Sequence, residues 1–280
     1  MSMCDLSEIE PTERKRVIDL VRDAGVDVND WAACEGGEEK AASNPKYCYE
    51  WSFVEPKKTV VLNLWYGKME ERDGAIVQDL NYRDIAREPA NPVGRKTRAM
   101  NMDRAIRTAA EDELPIRVIV CDGKMRDKDD PNATASLVKK RLLDPVPWAV
   151  TAYNSNSGQC TVSRGALVHR FGDQFSILEE SIPQPRRRPL SRDAFVRDPA
   201  VRRRTILRAQ GKCELCKKQG FTMADGTVFL ETHHVISLAE GGADTEGNVV
   251  ALCPNDHREA HYGANSEKMR KDLLDRLCHL

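Results

Sequence analysis

The stretch "FLETHHVISLAEGGADTEGNVVALCPNDHREAHYG", residues 229–263, holds four of the six histidines in a chain of 280 residues. "TVFLETHHV" reads as a strand running into a Gly-Gly loop, "NVVAL" as its returning partner, and "DHREAHYG" as the start of a helix. This ββα reading brings His233, His234, Asn248, His257 and His261 within reach of one another. Adjacent strand residues point to opposite sides, so His233 and His234 need the strand's twist or its end to share a site, and they can do so with different roles. His257 and His261 are four apart and therefore share one helix face.

Working outward, "PAVRRRTILRAQGKCELC" reads as a helix that delivers Cys213 and Cys216 in a C-x-x-C knuckle, a spacing with which one tight turn presents two thiolates to a tetrahedral zinc. Cys253 supplies a third soft ligand. Asp256, three positions on, stands where a fourth would complete the tetrahedron, and carboxylate oxygen binds zinc less softly than sulfur. The polar surroundings of the knuckle, "GK.E..KK", argue against two cysteines merely filling a core.

Composition sets the outer bounds. The chain is 40% hydrophobic and 31% charged, as in soluble globular proteins, and its length suits one large or two ordinary domains. There is no apolar run long enough to span a membrane, and the N-terminus lacks a basic start followed by an apolar stretch, so a cytoplasmic location is expected. Nine cysteines without an export signal point to reduced thiols and metal ligation. The net charge of −1 hides an uneven distribution: residues 185–218 carry twelve Lys or Arg against three acids. Such a run is often a solvated face, but beside a metal site it suits DNA phosphates, with Arg186, Arg187, Arg188, Arg202, Arg203 and Arg204 as candidate contacts.

Upstream, "PTERKRVIDLVRDAG" (11–25) predicts a helix stopped by Gly25. "KYCYEWSFVEPKKTVVLNLWYGKM" predicts a hairpin of strands at 47–54 and 59–67, and a strand is expected near "AIVQDLNY". Residues 94–113 look helical, 115–123 form a buried strand, and two strands flank "NSNSG". The fold class expected is α+β: an N-terminal α+β domain over 1–180, a Pro- and Arg-rich linker over 181–191, and a C-terminal ββα-metal domain over 192–280 with a structural zinc knuckle. Tyr47, Tyr49, Trp51 and Phe53 alternate as one strand face would, with Trp65 and Tyr66 on the partner strand. Trp51, Trp65 and Tyr66 are candidates for a modified-base pocket, although an aromatic stripe at strand period is more often a core face. The loops 153–159 and 91–98 are further candidate DNA contacts and are also ordinary turns.

Residues 192–265 resemble the HNH (ββα-metal) nuclease superfamily, with His234, Asn248 and His257 as its three name-giving residues. The motifs "FVRDP", "CELC", "HHV", "GGAD", "ALCPNDH" and "HY" are similar to those of McrA-like modification-dependent (type IV) restriction endonucleases. Asp256 is a departure, since that family usually completes its zinc site with a cysteine. The resemblance implies a catalytic set of His234, Asn248 and His257. His234 acts as general base, because an imidazole titrates near neutrality. Asn248 orients the histidine loop. His233, His257 and His261 hold one divalent ion (Mg, Mn, Ni or Co), with Glu231 supporting the ligands or touching DNA. Cys213, Cys216, Cys253 and Asp256 hold a structural zinc. The implied function is metal-dependent cleavage of double-stranded DNA in restriction or phage defence. Residues 1–180 are then the expected reader of modified DNA carrying methylated or hydroxymethylated cytosine or phosphorothioate, and a homodimer would cut both strands. Two alternatives stay open: a non-cleaving, zinc-stabilised DNA-binding protein, or an HNH effector whose first domain senses a protein or small molecule.

Overall fold

The structure, a computed structural model, describes residues 5–126, 135–168, 171–174 and 197–279. The linker read at 181–191, with Arg186, Arg187 and Arg188, lies outside the described residues. The chain forms two compact units, one of residues up to Thr151 with Ser157–Val168, the other of Ala152–Asn156 with the chain from 169 onward.

The first unit is built on a mixed sheet. Strands β1 (Ser52–Glu55), β2 (Thr59–Trp65), β3 (Glu70–Arg72), β4 (Ala75–Leu80), β5 (Ile116–Lys124), β6 (Leu137–Leu143), β7 (Trp148–Tyr153) and β8 (Cys160–Arg164) take the order β1-β2-β5-β7-β8-β4-β3, with β6 also on β5. β5 reads as a nearly continuous apolar run because it is the central strand. It pairs parallel to β2, with Leu62 opposite Val118, and antiparallel to β6 and β7. A register shift between Asp122 and Gly123 marks a bulge, and a Cβ on Gly123 would stand 2.2 Å from the Leu137 carbonyl oxygen.

Each sheet face has its own helical cover. Val61, Ile119 and Cys121 meet Val17, Ile18, Leu20 and Val21 of α1 (Val17–Asp23), together with Trp31 and Phe53. After the short helices α2 (Gly37–Lys40) and α3 (Tyr82–Arg87), α4 (Val93–Glu111) packs on β1 and β2 through Met102, Ala105, Ile106 and Ala109, which recur at helical spacing.

The predicted first strand at 47–54 is shorter in the structure. Residues 45–49 form turns, and β1 starts only at Ser52. The reason is Asn44, whose Oδ1 accepts from the Lys46 amide and whose backbone oxygen accepts from Tyr47 and Cys48. The aromatic alternation is therefore not a strand face. Tyr47 stacks on Trp31 at 5.1 Å, Tyr49 is exposed, and Trp51 turns toward Tyr82, Arg95 and Arg98. Trp65 packs against the cluster around Trp31 and Phe53, while Tyr66 lies in the 3-10 turn that ends β2. The three candidate pocket aromatics thus sit in different surroundings.

The second unit opens with β9 (Phe171–Gly172) and α5 (Pro199–Ala209), capped by the Asp198 side chain on the Ala200 amide. Strands β10 (Phe221–Thr222) and β11 (Val228–Phe229) form a three-stranded sheet with β9. β12 (Glu231–His234) then pairs antiparallel with β13 (Val249–Leu252), setting His233 opposite Val250 and His234 opposite Val249. α6 (Pro254–Tyr262) completes the ββα unit, and an amphipathic α7 (Ser266–Leu277) closes the core through Leu273. Among the described residues no helix is long and apolar enough to cross a membrane.

Candidate metal centres

The knuckle is anchored from inside. Cys213 belongs to the core cluster with Ile206, Leu230, Val250 and Leu252 and is fully buried. Between the two cysteines, Glu214 accepts two bonds from Arg208 (2.8 and 2.9 Å) and one from the Ala251 amide (2.7 Å), tying α5, the knuckle and β13 together. Pro254 opens α6 directly after Cys253, so Asp256 projects from the first turn back toward the knuckle.

The ligand atoms of Cys213, Cys216, Cys253 and Asp256 lie within 4.8 Å of one another. Cys213 Sγ is 3.0 Å from Asp256 Oδ2, and the Cys216 and Cys253 sulfurs are 4.0 Å apart. A tetrahedral zinc with Zn–S bonds near 2.3 Å separates its sulfurs by about 3.8 Å, so the four residues fit that ion. Burial, and then the Asp256 carboxylate, pushes the Cys213 thiol up to about 12. Burial alone would raise Asp256, but the hydrogen bonds from Cys213, Cys216 and Cys253 hold it below the usual carboxylate range. Without a cation the proton therefore rests on sulfur, and metal binding must release it. All eight described cysteines are free thiols.

The second centre joins β12 to α6. His233, His257 and His261 bring their ring nitrogens within 4.8 Å of one another, with ring centroids 4.7 to 5.1 Å apart. His257 Nδ1 donates to the Glu231 carboxylate, which leaves its Nε2 as a lone pair facing His261 Nε2 at 3.1 Å. Two imidazole lone pairs at that distance repel unless a proton or a cation lies between them. A carboxylate behind a histidine is the arrangement that fixes the tautomer of a metal ligand. Burial, followed by the neighbouring His257, His261 and His234, holds His233 down to about 3, so it stays neutral and able to ligate; burial and His257 lower His261 as well. The donor set suits a first-row divalent ion.

His234 points away from this trio. Its Nε2 donates to Asp244 Oδ1 at 2.8 Å, so its Nδ1 is the accepting nitrogen. Burial would raise Asp244, but the Asp198 amide and His234 keep it low. Asn248 binds the loop that carries Asp244: its Oδ1 accepts from the Ile236 amide (2.8 Å), and its Nδ2 donates to the Ile236 (2.8 Å) and Ala243 (2.9 Å) carbonyls. Gly242 sits inside this clasp, where a Cβ would stand 2.0 Å from the Ile236 oxygen.

The α5 arginines are not a free basic stripe. Arg202 pairs with Asp173 at 2.8 Å and Arg204 with Glu246 at 2.5 Å, each mostly sheltered from solvent, and Arg203 has a partner too. Sequence reading overlooked these pairs, and also Asp244 and Glu214. A carboxylate ten residues past His234 and a Glu inside the C-x-x-C were visible signals, but their partners depend on how the chain folds back.

The HNH endonuclease family matches residues 213–263. The chain is 42% identical over 146 residues to the type IV methyl-directed restriction enzyme EcoKMcrA of Escherichia coli (strain K12), a match covering 46% of this chain and 52% of that one. It thus spans about half the length of this curated relative. Among solved structures, the type IV phosphorothioation-dependent restriction endonuclease ScoMcrA is 36% identical over 30% of this chain and 17% of its own, with a TM-score of 0.28. The modification-dependent TagI restriction endonuclease is 16% identical over 80% and 74%, with a TM-score of 0.24. With a ββα scaffold, three convergent histidines and a cysteine knuckle inside the matched segment, the C-terminal part of this chain is an HNH endonuclease domain.

Proposed function

We propose that this chain is a metal-dependent DNA endonuclease of the restriction type that acts on modified DNA. The observation that carries the reading is the division of labour between the adjacent histidines. His233 joins the trio with His257 and His261, while His234 stands outside it, held by Asp244 with one nitrogen left to take a proton. A module that only binds DNA has no use for a second, oriented imidazole beside a metal set.

In this reading His234 Nδ1 accepts the proton of the attacking water. Asp244 holds the ring and stabilises the imidazolium that forms. Asn248 keeps the loop in register, and Glu231 fixes the tautomer of His257. His233, His257 and His261 would hold a divalent ion (Mg, Mn, Ni or Co), which would supply Lewis-acid stabilisation of the negative charge that develops in phosphodiester hydrolysis. Zinc on Cys213, Cys216, Cys253 and Asp256 holds the base of the hairpin. The first unit is the reader, and two copies of the chain cut the two strands. EcoKMcrA is methyl-directed and ScoMcrA phosphorothioation-dependent, which makes methylated or hydroxymethylated cytosine and phosphorothioate the modifications to examine.

The test is cleavage of matched plasmids, unmodified or bearing each modification, with Mg²⁺ or Mn²⁺, by wild type and His234→Ala. Cutting of one modified plasmid only, lost in the variant, is expected. Equal cutting of all plasmids removes the reader, and no cutting under any condition removes the nuclease.

A further inference from the structure

We infer that the start of helix α4 in the first unit is a nucleotide-binding site for the DNA chain, with Arg95 and Arg98 taking a backbone phosphate and Trp51 stacking on the adjoining base. The inference rests on the DNA-directed reading above and names where the first unit touches DNA.

Three independent observations converge there. The guanidinium carbons of Arg95 and Arg98 lie 5.9 and 5.8 Å from the centroid of the Trp51 ring, a cation–aromatic cluster of the kind that binds single nucleotides. Neither arginine pairs with a carboxylate among the described residues, and the Nε of each is buried without a hydrogen-bond partner. Two other sheltered arginines of this unit are neutralised, Arg83 by Asp103 at 3.1 Å and Arg164 by Asp144 at 2.9 Å. Arg117 also leaves its Nε unpaired, but it donates to the Asp144 backbone oxygen and, among the described residues, stands over no aromatic ring. A buried guanidinium Nε without a partner is costly to leave unpaired, and two such groups side by side suit an anion.

The helix end strengthens the case. α4 runs for 19 residues from Val93, has no acidic residue in its first turn and no side chain capping it. Arg95, Lys96 and Arg98 add cations where the helix dipole is already positive, an arrangement that disfavours the free protein and favours a bound phosphate. Arg98 folds back over that end, its guanidinium 3.6 Å from where a Gly94 Cβ would sit. Burial, and then the charges of Arg126 and Arg98, lowers Arg95, as expected of a cation cluster lacking its counter-ion. On the neighbouring strand β2, Asn63 donates from its backbone amide to the Trp51 oxygen and from Nδ2 to the Glu50 oxygen, and leaves its buried Oδ1 unpaired.

The experiment uses the full chain in the His234→Ala background, so that DNA stays intact, and follows binding of a labelled modified duplex against salt by anisotropy. Arg95→Gln/Arg98→Gln is expected to weaken binding at least tenfold and to lower the slope of log K against log salt by about 1, given a slope of about 0.9 per phosphate and one phosphate held. Arg104→Gln/Arg107→Gln, which removes the same charge from the exposed flank of the same helix, leaves the slope unchanged. Arg95→Lys/Arg98→Lys retains it, which guards against a folding defect in the Gln pair. Quenching of tryptophan emission by the duplex disappears in Trp51→Phe. If the parent binds but the Gln pair matches it in affinity and slope, the site is wrong and the reading stands. If the parent binds no DNA, both fail. Loss of affinity for a free nucleoside triphosphate with unchanged duplex binding also overturns the assignment.

Discussion

Asn248→Ala is the perturbation that most sharply separates loop positioning from metal binding. Asn248 is 6% exposed and makes three side-chain bonds at 2.8 to 2.9 Å, to both backbone groups of Ile236 and to the Ala243 carbonyl. At about 1 kcal/mol net for each, their removal destabilises the clasp of residues 236–248 by about 3 kcal/mol, a roughly hundredfold shift toward the open loop. Asp244, which holds His234, rides on that loop, whereas the Glu231–His257 pair lies outside it. Hydrogen exchange at the Val235 and Gly242 amides, which donate to the Asn248 and Ser237 carbonyls, reads the opening directly. Exchange is expected to quicken by about two orders of magnitude and cleavage to fall with it, while divalent-ion affinity stays near wild type. Asn248→Asp provides no rescue, because its second oxygen faces two carbonyls instead of donating to them. Protection unchanged in Asn248→Ala, or full function in Asn248→Asp, refutes the reasoning.

Glu231→Gln removes the carboxylate behind His257 and is expected to weaken divalent-ion binding at the histidine trio about 10- to 100-fold by calorimetry, with zinc content unchanged; equal affinity removes Glu231 from that role. Asp256→Ala is expected to lower the zinc content of the purified protein and Asp256→Cys to keep it, and metal analysis that finds no loss in the alanine variant takes Asp256 off the ligand set. For pH, His233 is held down to about 3 in the fold, whereas in the unfolded chain it titrates near 6.5. Below about 6.5 the unfolded chain therefore binds a proton that the fold refuses. The metal-free protein loses stability as pH falls toward 3, by up to about 1.4 kcal/mol per pH unit from this group. His233→Asn should flatten that part of the unfolding profile, and an unchanged slope sinks the assignment.

Local spacing made the ββα segment legible. His257 and His261 had to share a helix face, and the hairpin's two apolar strands flank one Gly-rich loop. The partners of those residues were not legible, since Glu231 meets His257 across 26 positions and Glu246 meets Arg204 across 42. In the first unit the central strand and α4 follow directly from period and apolarity. The alternation at 47–53 misled because Asn44 and Pro45 turn the chain, and local side-chain hydrogen bonding overrides β propensity there. α7 is not legible from sequence alone. Its apolar positions, Met269 and Leu273, gain meaning only against a core assembled earlier in the chain.

One helix serves both metal sets: α6 carries Asp256 toward the cysteines and His257 and His261 toward the trio. This fixes where the gene can tolerate changes of length. An inserted residue between Cys253 and His261 turns everything beyond it by about 100° and throws one ligand group off its target. Residues 217–227, by contrast, lie between the knuckle and β11 and carry no ligand. Lengthening that excursion costs only a slow logarithmic increment in closure entropy. Insertions and deletions should therefore accumulate between Cys216 and Val228 while the nine positions of α6 keep their count, so that the helix acts as a ruler on the spacing of the two candidate ligand groups.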